Sequence, residues 1–288
     1  MASATTRRTP ADTGPDPSTF LRRHPVATFF ALTYGSAWAL WLPLVIFGDR
    51  IPGSLGFVLV VLGSLMPSTM AVILVARLHG RAEVLRLLHR LLMGWVGIFW
   101  YAAILALTAL MVFAVWVSTL FGAPAPVVVT TIPGALVTLL FSIFPGSAVG
   151  EELGWRGFAL PRLQGRRSAL AASIIVGFVW GAYHFPLFLL GTPFRPLALF
   201  LPFAVSCAIM SIFYTWMYNG TGGSLLIAVL LHAITNLALT VVYVPLEEQV
   251  LLAFGTFIAL LALAAVVLIA RTGAATLSRT HPKQTAAL

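Results

Sequence analysis

An all-α, polytopic bundle of about eight membrane-crossing helices is the fold this sequence predicts, and three observations predict it. Hydrophobic residues fill 60% of the 288 positions, charged residues fill 9%, and mean hydropathy is +0.99. A soluble domain carries about 25% charged residues, so a water-soluble fold is excluded. The apolar residues gather into runs long enough to cross roughly 30 Å of hydrocarbon, and the arginines fall between those runs in an alternating pattern.

Residues 1–25 are rich in Thr, Pro, Asp and Arg and hold no apolar core, which rules out a signal peptide and predicts a disordered cytosolic tail. The apolar runs then lie near 26–48, 55–78, 95–120, 133–154, 169–190, 197–218, 223–244 and 250–270. They make one membrane domain over 26–270, with residues 271–288 as a cytosolic C-terminal tail. Between the second and third runs, residues 79–94 interleave Arg and His with Leu at helical spacing, which suits an amphipathic helix on the inner face. No repeat of fixed period and no Gly-rich nucleotide loop interrupts the pattern.

A net charge of +9 in a soluble protein would suggest nucleic acid. Here the basic residues are confined to short segments between apolar runs, so their role is orientation and no nucleic-acid partner is expected. With both termini inside, Arg7, Arg8, Arg22, Arg23, Arg77, Arg81, Arg86, Arg90, Arg156, Arg162, Arg166, Arg167, Arg271, Arg279 and Lys283 are cytoplasmic, and only Arg50 and Arg195 fall outside. That asymmetry predicts a multi-pass protein of the cell membrane, embedded in the lipid bilayer. The preference for Arg over Lys and the abundance of Ala hint at a high-GC bacterial genome. Cys207 is the sole cysteine and sits inside an apolar run, which excludes intrachain disulfides and multi-cysteine zinc sites. Asn219-Gly220-Thr221 matches a glycosylation acceptor but falls on the cytoplasmic side.

Ionisable groups inside apolar runs are costly and commonly tied to function. Asp12, Asp16, Asp49, Glu83, Glu247 and Glu248 lie in tails or loops, and His24, His79, His89 and His281 are outside or interfacial. The embedded polar set is therefore Glu151, Glu152, Arg156, His184, His232 and Asn236. Glu152 and Arg156 are four apart and can neutralise each other on one helix face, leaving Glu151 unpaired. His232 and Asn236 share a stripe with Ser224 and Ala228. Gly146, Gly150 and Gly154 recur beside Glu151, while Gly177, Gly181 and His184 share a face, so the fourth, fifth and seventh runs are expected to approach closely around one polar chamber. Singly, each group has a plain reading, as a juxtamembrane charge patch or a structural hydrogen bond. Their joint occurrence on three glycine-faced helices favours a functional chamber.

At these residues the sequence resembles the CAAX protease and bacteriocin-processing family of membrane endopeptidases, also catalogued under abortive-infection proteins. The family pattern is Glu-Glu-x-x-x-Arg, then an aromatic residue separated by three positions from a His, then His-x-x-x-Asn. All three parts occur in order, as Glu151-Glu152-Leu153-Gly154-Trp155-Arg156, Trp180-Gly181-Ala182-Tyr183-His184 and His232-Ala233-Ile234-Thr235-Asn236. The resemblance covers residues 145–240, with the catalytic core expected over about 133–244. Trp180 stands where the family more often has Phe and keeps an aromatic wall.

The resemblance implies peptide-bond hydrolysis within the membrane, acting on a peptide or a membrane-anchored protein. The residue chemistry agrees. No Ser or Cys is paired by motif with the histidines, so water is the expected nucleophile. Glu151 and His184 are assigned to its activation, and burial beside the Glu152 carboxylate suits Glu151 to accepting a proton. His232 and Asn236 form the expected oxyanion hole, and Arg156 orients Glu152. No cofactor is expected. Zinc held by Glu151, His184 and His232 is the competing mechanism, although His-Glu-x-x-His is absent and Asn236 is a poor zinc ligand. A proton-coupled transporter or a non-enzymatic bacteriocin-immunity protein would also use such residues. For Glu151 to share a water with a histidine, the fourth helix must continue through Arg156, sunk into the bundle, its charges facing a cytosol-open cavity.

Overall fold

The computed structural model describes residues 17–128, 130–190, 196–243, 250–279 and 281–285. Residues 1–16 of the expected tail, with Arg7, Arg8, Asp12 and Asp16, lie outside the described residues, as do Arg195, Glu247 and Glu248. Nearly everything described is helix. In chain order these are α1 (Pro17–Arg23), α2 (Pro25–Phe47), α3 (Gly53–Ser64), α4 (Met66–His79), α5 (Arg81–His89), α6 (Ile98–Ser118) and α7 (Ile132–Ile143). There follow α8 (Ser147–Gly154), α9 (Leu160–Gln164), α10 (Ala169–Tyr183), α11 (Phe185–Leu189), α12 (Phe200–Gly220), α13 (Leu225–Val241) and α14 (Val250–Thr272). Two-residue strands β1 (Val127–Val128) and β2 (Val242–Tyr243) pair antiparallel.

The eight expected runs are largely helical, the fourth being broken between α7 and α8, and the fold is the helical polytopic bundle the sequence predicts. Among the described residues, six helical stretches are long and apolar enough to cross a bilayer. A seventh span is α3 with α4, bent by 42° at their junction, and α13 is a shorter apolar helix. The expected amphipathic segment forms α5 and a following turn, with Leu87 buried and Arg86 exposed.

Local chemistry sets the boundaries. Thr131 and Ser168 cap α7 and α10 by accepting from the amides of Gly134 and Ala171. Gly80, at φ +82, turns the chain between α4 and α5 in a conformation that only glycine adopts freely. Residues past α14 do not trail away. The carbonyls of Ala274 and Ala275 accept from the first amides of α10, those of Leu170 and Ala169, Thr276 accepts from the Asn219 amide, and Leu277 is fully buried. Part of the expected C-terminal tail thus satisfies helix-end donors that would otherwise be orphaned, and Pro17–Arg23 of the expected N-terminal tail is helical.

The glycine stripes do bring helices together, but with partners other than those expected. A Cβ on Gly177 or Gly181 would meet the backbone of Ala208 or Ala204, so this face of α10 lies against α12. Gly150 and Gly154 lie against Ser64–Pro67, at the bend between α3 and α4. Glycine contacts therefore seat α8 and α10 on outer neighbours and leave their other faces free to carry polar groups inward. Gly177→Val is expected to destabilise the fold by about 1–3 kcal/mol through overpacking. Thermal unfolding in detergent checks this, with Gly35→Ala, which meets nothing within 4 Å, expected to leave the midpoint unlowered.

Candidate active site

The helix carrying both glutamates does not stop at the membrane edge. It runs from Ser147 through a wide turn of five residues, Trp155–Ala159, into α9, and every residue from Gly150 to Arg162 is buried. The amide of Leu160 reaches back to the carbonyl of Trp155, one residue further than in an ordinary α-helix. Pro161 follows directly; it has no amide to donate and its ring crowds the preceding turn, so a widened turn is a natural accommodation. The glutamate-bearing helix is thus sunk into the bundle and runs on through Arg156, but the expected fourth run is not continuous, since Phe144 is extended and separates α7 from α8.

Glu152 sits at the centre of one network. Its Oε1 accepts from Arg156 Nη1 at 2.9 Å and pairs with His232 Nδ1 at 2.8 Å, with the Glu152 and Arg156 side chains both fully buried. The Arg156 guanidinium also lies 3.8 Å from the ring centre of Tyr214 and 4.6 Å from that of Trp180, so aromatic faces supplement its single carboxylate partner. Because the carboxylate takes the proton on Nδ1, neutral His232 presents Nε2 as an acceptor. That nitrogen lies 3.2 Å from Ser147 Oγ, and Asn236 Nδ2 donates to the same oxygen at 3.0 Å.

Glu151 forms the second network. Its Oε2 accepts from the indole N–H of Trp180 at 2.5 Å and of Trp155 at 3.3 Å. Its Oε1 makes no hydrogen bond within the protein and faces His184 Nε2 at 3.7 Å. His184 Nδ1 donates to the Trp180 carbonyl at 2.9 Å, so the neutral ring turns the lone pair of Nε2 toward Glu151. Trp41, Phe203 and Tyr183 pack around this imidazole.

All seven expected site residues therefore come together, with three departures from the reading of the sequence. The two histidines divide between the two glutamates instead of sharing Glu151. The charges do not face an open cavity: Arg156, Glu151 and Glu152 are 0% exposed, and exposure first appears at His184, Ser147 and Asn236. Ser147 does pair with a histidine, which no motif announced. Ser147, Glu151 and Trp155 follow one another at intervals of four, and that helical spacing is the signal that could have found Ser147 and Trp155. Tyr214, on α12, carried no such signal. Among the described residues no three His, Cys, Asp or Glu side chains are arranged to hold a metal ion. The members of the candidate zinc set face different partners: His184 Nε2 lies toward Glu151, whereas His232 pairs with Glu152 through Nδ1 and with Ser147 at Nε2.

Residues 130–238, which hold Ser147 and all seven expected site residues, match the family model described as type II CAAX prenyl endopeptidase Rce1-like. Over this segment the chain is similar to the CAAX protease and bacteriocin-processing family, and the match supports that assignment. A 97-residue stretch is 36% identical to the CAAX prenyl protease 2 of Methanococcus maripaludis, and this match covers 32% of the chain and 36% of that relative. Together with the apolar helices, this similarity supports a multi-pass membrane protein.

Truncating Glu152 to Ala would leave Arg156 and His232 buried without their shared carboxylate, with an expected destabilisation of about 3–5 kcal/mol. Glu152→Gln, which keeps an acceptor, is expected to cost less. Thermal unfolding of the two variants in the same detergent checks the order.

Proposed function

We propose that this chain is an intramembrane endopeptidase that hydrolyses peptide bonds with a water activated by Glu151 and His184 and without a metal ion. The observation that carries the reading is the facing of two acceptors, Glu151 Oε1 and His184 Nε2, 3.7 Å apart. That gap is too long for a hydrogen bond between them, and a water donating one proton to each would keep its lone pairs for a carbonyl carbon. Glu151 takes the proton as the water oxygen bonds to that carbon, giving a tetrahedral intermediate. The same proton then passes to the leaving amine as the C–N bond breaks, releasing a carboxylate and an amine. Trp155 and Trp180 fix the other carboxylate oxygen, so Glu151 has one free edge and one orientation.

Nε2 of His232 and Nδ2 of Asn236 converge on a single point, as donors to one oxyanion must. For His232 to donate there, it takes up a second proton from solvent before the attack and returns it after the intermediate collapses, and the Glu152 carboxylate on Nδ1 stabilises the imidazolium meanwhile. The division of the two histidines between the two glutamates favours this route over the metalloprotease reading, and the ordered family motifs favour it over a transporter or an immunity protein. The substrate class proposed is a peptide or membrane-anchored protein. Both termini are assigned to the cytoplasmic side of the cell membrane, because Arg50 alone of the described Lys and Arg residues falls on the opposite side.

Cleavage of a quenched fluorogenic peptide library by the purified protein tests this. Activity is expected to survive chelation and to fall by about 10²–10⁴-fold in Glu151→Gln and in His184→Ala. Loss on chelation with recovery in zinc, or full activity in Glu151→Gln, would sink the mechanism.

A further inference from the structure

Ser147 is the first residue of α8 and is only partly buried, yet its hydroxyl oxygen lies at the one point where two side chains of α13 converge. His232 Nε2 is 3.2 Å from it and Asn236 Nδ2 is 3.0 Å from it. We propose that Ser147 is a positioning residue for the oxyanion hole, its hydroxyl holding His232 and Asn236 in converging geometry until a substrate oxygen takes its place. The inference rests on the peptidase reading above and adds to it a residue that neither the family motifs nor the proposed chemistry contains.

The polarity of the chain of hydrogen bonds supports the assignment. Arg156 donates to Glu152, Glu152 accepts from Nδ1 of His232, and neutral His232 can then only accept at Nε2. Ser147 has a single proton to give, and it goes to that nitrogen. Asn236 Nδ2 donates to a lone pair of the same hydroxyl. Each member has one role, and removal of the hydroxyl leaves two partly buried polar groups without a common partner. When His232 gains its second proton, Nε2 becomes a donor and no longer accepts from Ser147. The hydroxyl is then free to rotate away while both nitrogens keep their aim. Asn236 and His232 are one helical turn apart on α13, so they share a face but not a fixed rotamer; Ser147 supplies from α8 the constraint that α13 lacks.

The geometry also has the order of a nucleophilic triad, Ser147 to His232 to Glu152. The positioning role is favoured because Glu151 and His184 form a separate acceptor pair for water, and because Asn236 already donates to the serine oxygen in the free protein.

The experiment compares Ser147→Ala and Ser147→Thr with the parent protein in steady-state peptide cleavage, alongside Glu151→Gln and exposure to a peptidyl fluorophosphonate. Ser147→Ala is expected to lower kcat by about ten- to a hundredfold with little change in KM. Ser147→Thr, which keeps the hydroxyl, is expected to recover activity to within a few-fold, and the fluorophosphonate is expected to leave Ser147 unmodified. Unchanged kcat in Ser147→Ala, or an equal loss in the threonine variant, overturns the proposal. Covalent labelling of Ser147 overturns it in favour of a serine nucleophile. Full activity in Glu151→Gln instead removes the peptidase mechanism on which it rests, and the two failures are read from different variants.

Discussion

The buried pair of Glu152 and Arg156 is the interaction on which the rest of the site depends. Two opposite charges four residues apart on one helix are ordinary at a surface, where they contribute little. Inside a membrane bundle, with both side chains fully buried, neither charge is tolerable without the other. The Arg156 guanidinium also lies over the rings of Trp180 and Tyr214, and Glu152 also pairs with His232, while Arg156 Nε and Nη2 and Glu152 Oε2 are buried without a hydrogen-bond partner among the described residues. The pair thereby ties α8 to α10, α12 and α13. It also dictates which nitrogen of His232 carries its proton, and through it the direction of every hydrogen bond out to Asn236.

Beside that network, Glu151 is the remaining buried acid and is held differently. Two indoles anchor one oxygen and leave the other facing His184. Adjacent glutamates on one helix point about 100° apart, so each reaches a different set of neighbours. Glu152 ties the helices together, and Glu151 leaves one oxygen facing His184 without a hydrogen bond. The substitution of Trp180 for the family's more frequent Phe has a local consequence, since an indole donates to Glu151 and a phenyl ring does not.

The bundle, its amphipathic connector and the six embedded polar positions were legible in the sequence because a membrane makes them so: apolar runs are long, and each embedded charge is conspicuous against them. Pairings across helices were not. The i, i+4 relation of Glu152 to Arg156 was readable within one helix, whereas the choice of Glu152 over Glu151 by His232 depends on how α13 is rotated against α8. The glycine stripes likewise announced close approach without naming the partner, and the partners proved to be α12 and the bend between α3 and α4. Ser147 went unread since a serine at a helix start is ordinarily a cap, and only the tertiary contact with α13 gives it another part.

The most direct measurement on the central claim is an experimental structure of the resting protein in lipid, at a resolution that shows ordered waters, with anomalous data at the zinc edge. The account predicts a water within about 3 Å of both Glu151 Oε1 and His184 Nε2 and no anomalous peak among the glutamates and histidines. An anomalous peak bound by Glu151, His184 and His232, or a direct hydrogen bond between Glu151 and His184 that leaves no place for a water, would contradict it.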